Sequence, residues 1–153
     1  MRRTLAFLPV LGVLAGCSLP TPGTQPLVPP TPATWMHAEQ QADRFDRAFR
    51  TGGMTGVAGD IDARYADAML SRQPIAVHDC LVYDDFADRF AAQMNKQAGF
   101  PIPPFFQPAT VYPRMAHYSG PAEFNDPEIM SGYLNQGAGT IFAVIAAREK
   151  ARQ

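Results

Sequence analysis

The sequence predicts a mostly α-helical fold: a small bundle of four to five short helices with one long Pro/aromatic-rich irregular strap. Three observations predict it. Apolar residues recur at three- and four-residue spacing through several segments, the period of an amphipathic helix. Proline or glycine ends those segments, as a helix stop requires. Helix-start signatures precede some of them, the clearest being Asp126-Pro127-Glu128, with a cap, a proline at the first position and an acid in the first turn.

The first helix is predicted over 35–50, with Thr34 as its N-cap. Trp35, Ala38, Ala42, Phe45 and Phe49 form one apolar stripe over about four turns. Two heptads fall short of a coiled coil, so the stripe reads as core, with a docking helix as the alternative. Asp43 with Arg47 and Asp46 with Arg50 are four apart in the favourable order, each pair worth about 0.2–0.5 kcal/mol. The glycine-rich run 51–59 reads as a flexible loop ending at Asp60, a good N-cap. Ile61, Tyr65, Ala68 and Met69 then mark a second helix that stops before Pro74.

Residues 75–83 stay open between a short strand and the lead-in to a helix. From Val82 onward, Phe86, Phe90 and Met94 recur every four residues, so the stretch to Gln97 is predicted helical, with Gly99 as its stop. Residues 100–127 hold seven prolines among six aromatic residues. So many prolines disfavour regular structure, yet so many aromatics do not suit a disordered linker. The expectation is an ordered strap laid across the helices, aromatics inward. After Asp126 come Ile129, Met130, Tyr133 and Leu134, an interruption at Gly137-Ala138-Gly139, and a final helix 141–151 capped by Thr140. Its first seven residues are all apolar, which places it at the centre of the core or in an interface.

The N-terminus carries a different kind of signal. Arg2 and Arg3 precede a ten-residue apolar stretch, Leu5 to Leu14, followed by Ala15, Gly16 and Cys17. Ten residues are too few to span a bilayer as a helix, which needs roughly 20. Leu14-Ala15-Gly16-Cys17 resembles the lipobox of bacterial lipoprotein precursors. The resemblance implies that residues 1–16 are a signal peptide that is removed, and that Cys17 becomes a lipid-modified N-terminus. It implies a lipid-anchored protein of the cell envelope. Ser18 after the cysteine resembles lipoproteins sorted to the outer membrane, facing the periplasm. The domain organisation expected is then a signal over 1–16, a lipidated and Pro-rich tether over 17–34, and a single helical domain over 35–153. Six prolines with no charge and no aromatic residue between Ser18 and Thr34 make a polyproline-like spacer, reaching on the order of 50 Å. Pro-x-x-Pro ligands for aromatic grooves share that composition.

Removal of 1–16 leaves 137 residues, enough for one domain with its own core, and takes Arg2 and Arg3 but no acid, moving the net charge from −1 to −3. A mildly acidic chain without basic clusters argues against nucleic acid. With Cys17 acylated, Cys80 is the only thiol left and no internal disulfide can form. Beside Leu81 and Val82 it reads as a small buried hydrophobe, with an intermolecular disulfide or a nucleophile as alternatives.

The remaining chemistry is sparse. His37, His78 and His117 lack any short ligand spacing, so the expectation is no metal and no cofactor. In His78-Asp79-Cys80 adjacent side chains diverge, so the triplet itself is no nucleophile–base pair, although His117 could meet Cys80 across the fold. Gly137-x-Gly139 and Gly53-x-x-Gly56-x-x-Gly59 lack the context of a phosphate loop, and no nucleotide is expected. Asp60/Asp62, Asp84/Asp85/Asp88 and Asp126/Glu128 each fall at a predicted helix start, where capping accounts for them. The leading expectation is a non-enzymatic accessory or binding component of an envelope or secretion assembly. Its candidate contacts are the stripe Trp35, Phe45 and Phe49 and the strap residues Phe105, Phe106, Tyr112 and Tyr118. The alternatives are a small periplasmic hydrolase or metal-binding enzyme using His78, Asp79, Cys80 or His117, and a small-ligand-binding lipoprotein with its pocket under the strap.

Overall fold

The computed structural model describes residues 32–123 and 127–153, which form a small, mostly α-helical bundle. The lipobox, Cys17, most of the Pro-rich tether and the Asp126 cap lie outside the described residues. Four helices follow in order: α1 (Pro32–Ser71), α2 (Pro74–Ala98), α3 (Pro108–Glu123) and α4 (Pro127–Ala151), with a 3₁₀ turn at Pro104–Phe106. Helix α2 packs against all of the others, and α1 also packs against α4.

α1 is a helical hairpin. The helical path breaks only at Gly52 and Gly53, where Gly53 takes φ 59° and ψ −149°, a region closed to other residues. The arms 32–51 and 54–71 run antiparallel, since Arg44 meets Asp60 and Gln41 meets Arg64. The predicted loop over 51–59 is therefore a two-residue turn, and Gly56, Gly59 and Asp60 are helical. Gly56 is small for a reason outside its own arm: a Cβ there would fall closer than 3.0 Å to the carbonyl oxygen of Ala48. Thr34, expected as the N-cap, sits inside the helix, which begins at Pro32. The second arm ends at Ser71, short of Pro74 as predicted, with Arg72 in the left-handed region at φ 54°.

Residues 75–83 are helical, because Pro74 opens α2 from a proline-compatible first position. Gly99 closes α2 at φ 70°, donating its N–H to the Asn95 carbonyl at 2.9 Å. The irregular strap is a correction. Only 99–103 and Gln107 lack helical structure between α2 and α3: Pro104 and Pro108 fall at first positions, which helices accept, and α3 runs on through Pro113 and Pro121. Pro104 opens the 3₁₀ turn and Pro108 is the first residue of α3, while Pro113 removes one N–H early in that helix. The predicted interruption at Gly137-Ala138-Gly139 is also absent. α4 is continuous, and Thr140 donates its hydroxyl to the Gln136 carbonyl instead of capping a helix. Gly137 lies against α2, where a Cβ would come 2.5 Å from a Val82 methyl.

The core is aromatic and centred on α2. Phe45 makes edge contacts with Phe86 (4.9 Å) and Phe90 (4.8 Å) and stacks on Phe49, while Phe86 meets Phe142 of α4 at 4.7 Å. The apolar run opening the last predicted helix splits between faces: Ile141 and Val144 are buried, and Ala143, Ala146 and Ala147 are exposed. Of the two ion pairs expected on the first arm, Arg50–Asp46 forms at 2.8 Å. Asp43 pairs with Arg148 of α4 at 2.6 Å instead of Arg47, tying the end of α4 to α1.

Candidate functional site

The hairpin brings two polar stripes face to face. His37, Gln41 and Arg44 recur at four and three residues on the first arm, and Asp60, Arg64, Asp67 and Ser71 at four, three and four on the second. Each stripe borders the buried face of its arm. Arg44 of the first stripe and Arg64, Asp67 and Ser71 of the second wall, with the first turns of α2, a groove of about 240 Å³. Arg44, Arg64, Asp67, Asp79 and Ser71 supply its polar lining, and Ala68, Ala76 and Cys80 its apolar floor.

A chain of contacts crosses this groove. His37 Nε2 lies 3.0 Å from Asp79 Oδ1 and 3.1 Å from Gln41 Nε2. A single ring nitrogen cannot serve both at once: with its proton it donates to Asp79, and without it accepts from Gln41. Gln41 Oε1 accepts from Arg64, whose guanidinium lies 4.8 Å from the centre of the Tyr83 ring. Arg44 Nε reaches both oxygens of Asp60, at 3.0 and 2.9 Å. The Asp60 hydrogen bond raises the Arg44 guanidinium above its ordinary range, so this cation is fixed. Burial pushes the Tyr83 phenol up, with the nearby Asp60 charge adding to it.

Cys80 forms part of the floor and is buried. Burial pushes its thiol up, outweighing the opposing pull of Arg64, so the form favoured here is the poorly nucleophilic thiol. His78, Asp79, Cys80 and His117 are dispersed. The His78 ring meets Tyr133 of α4, Asp79 pairs with His37, and His117 is exposed on α3 beside Tyr118. Among the described residues no group of three His, Cys, Asp or Glu is placed to hold a metal ion.

The candidate contact residues are mostly occupied within the chain. Phe45 and Phe106 are buried, and Phe49 and Trp35 pack partly against the core. Trp35 Nε1 also donates to Glu39 at 3.1 Å. Phe105 lies under the Arg114 guanidinium at 3.7 Å, and Tyr118 stacks on Tyr65 at 4.0 Å. Of the seven, Tyr112 alone is mostly exposed, at 69%. Met69, expected on the apolar stripe of the second helix, is exposed, and so are Met36, Leu70 and Ile75. The hairpin register sets Met36 level with Met69, and the short link to α2 puts Leu70 and Ile75 at that same end.

Asp84, Asp85 and Asp88 lie inside α2 rather than at its start, which corrects the capping expectation. Asp84 accepts a two-pronged ion pair from Arg114 of α3, and Asp85 pairs with Arg89 at 2.8 Å. Asp88 has neither arrangement. Burial first, then the charges of Asp85 and Asp84, raise its carboxyl to about 6. The native state therefore holds this proton more tightly than the unfolded chain, and stability from this group is lost as pH rises through about 6. Asp88→Asn is expected to raise Tm by a few degrees at pH 7.5, from about 0.5–1 kcal/mol after solvent screening. At pH 4 the gain disappears, and melting curves at the two pH values check the difference.

No protein-family model matches the chain, and comparison with curated proteins and with solved structures returns no match. What the fold and the geometry define among the described residues is a helical bundle with a charged groove and an apolar end. Among the described residues no helix is long and apolar enough to cross a membrane.

Proposed function

We propose that the chain is the precursor of a lipid-anchored envelope protein whose helical domain is a non-enzymatic accessory, binding another component of an envelope assembly. Residues 1–16 are removed, Cys17 carries the lipid, and the anchor sits in the outer membrane facing the periplasm. The Pro-rich tether sets the domain's reach. One observation carries the binding reading: at the end of the bundle where the described chain begins, Met36, Met69, Leu70 (82% exposed) and Ile75 present large apolar side chains to solvent. Such side chains grouped at one end mark contact surfaces more often than single exposed ones do.

Two measurements test the two halves separately. Mass spectrometry of the full chain expressed in a Gram-negative host is expected to find the mature protein beginning at acylated Cys17, with Cys17→Ser left unprocessed. An unmodified Cys17 would retire the anchor. A photo-crosslinking residue at 70 or 75 is expected to trap a discrete envelope protein in whole cells, whereas the same residue at exposed Ala143 traps none. Equal yields at all three positions would retire the contact surface.

A further inference from the structure

The groove between the α1 arms and α2 is lined by two cations and two acids, Arg44, Arg64, Asp67 and Asp79. Two of these are committed to partners outside the lining: Arg44 to Asp60 at 2.9 Å, and Asp79 to His37 at 3.0 Å. Two are not. Half-buried Arg64 touches only an amide oxygen and an aromatic face, and it makes no ion pair within 4.0 Å among the described residues. Asp67, one turn further along the same arm, also lines the groove and makes no ion pair within 4.0 Å among the described residues. A guanidinium withdrawn from water without an anion is costly, because amide and ring contacts replace only part of its hydration. Its unused N–H groups form a planar fork that matches a carboxylate. Residues three apart on a helix are about 5–6 Å apart at Cβ, which suits opposite charges on one small molecule. Ala68, Ala76 and Cys80 leave an apolar floor beside this pair, within a volume of about 240 Å³.

We infer that this groove binds a small zwitterion, a free α-amino acid with a compact apolar side chain. Its carboxylate accepts from Arg64, its ammonium donates to Asp67, and its side chain lies on Ala68, Ala76 and Cys80. Gln41 Oε1, which accepts from Arg64, fixes its fork in the groove. The inference stands apart from the anchor and the apolar end, and neither is needed for it.

The test is calorimetric titration of the detergent-solubilised full chain with L-valine, with 3-methylbutanoate (no ammonium) and with 2-methylpropylammonium (no carboxylate). Valine is expected to bind more tightly than either half-ligand. Arg64→Gln is expected to weaken valine by roughly ten-fold or more, and Asp67→Asn to weaken valine while leaving 3-methylbutanoate unchanged. Asp67 is exposed, so its variant folds even if Arg64→Gln does not. In the unaltered chain, the Arg64 Nε resonance is expected to shift as valine is added. Absence of heat and of that shift, or valine binding that Asp67→Asn leaves intact, overturns the inference.

Discussion

Arg114→Leu is expected to destabilise the protein by about 3–5 kcal/mol, read as a lowered urea midpoint at unchanged slope. Every contact of that side chain is used. Nε and one terminal nitrogen donate to the two oxygens of Asp84 at 2.9 and 2.7 Å, and the other donates to the Phe105 carbonyl at 3.0 Å. The guanidinium plane covers the Phe105 ring. Arg114 is 10% exposed and Asp84 wholly buried, so leucine leaves a carboxylate in the core with only the Tyr65 hydroxyl, at 3.2 Å, to satisfy it. The loss also frees the 3₁₀ turn and α3, whose buried Phe106, Val111 and Met115 close one side of α2. Arg114→Lys is expected to recover only part of the stability, since a point charge cannot make the fork.

The same pair separates desolvation from attraction. In Asp84→Leu/Arg114→Leu the stranded charge is gone and apolar volume replaces it, so most of the lost stability is expected to return. A double variant as unstable as Arg114→Leu alone would show that packing around Phe105, rather than the buried charge, carries the cost. The arrangement also accounts for Tyr65: burial, reinforced by the Asp84 charge it faces, keeps its phenol protonated far above the ordinary range.

What the sequence made legible was local, and what it hid depended on distant partners. The stop before Pro74, the αL stop at Gly99 and the start at Pro127 need only the chemistry of one or two residues, and each is where the pattern puts it. α3 is hidden because Pro113 and Pro121 lie inside it, where local chemistry alone argues against a helix. At the groove, the spacing of His37, Gln41 and Arg44 was readable as a polar face beside the core. That Gln41 meets Arg64, and Arg44 meets Asp60, depends on a hairpin register set by the turn at Gly52 and Gly53. The aromatic stripe reads as core from its spacing, but its partners are not in that spacing. Phe45 and Phe49 have partners in α2, Phe86 and Phe90, which consume the face that the stripe presented.

That turn leads to a prediction in which one substitution changes sign within a single turn of helix. Gly56→Ala is expected to cost about 1–3 kcal/mol, the range of an overpacked core, because its Cβ meets backbone and no rotamer can relieve it. To admit it the arms must part where they cross, which loosens the Arg44–Asp60 pair and the packing of buried Val57 and Ile61. Gly59→Ala, three residues on, meets nothing within 4 Å and is exposed. There the methyl group only restricts the unfolded chain and favours the helix, so a gain of about 0.5–1 kcal/mol is expected. Thermal melts of the two variants check the pair. A flexible loop over 51–59 would give two similar, small shifts, whereas an antiparallel hairpin requires a loss at 56 and a gain at 59. The opposite signs would thus report the crossing of the two arms directly, and with it the register that sets Arg64 and Asp67 along the groove.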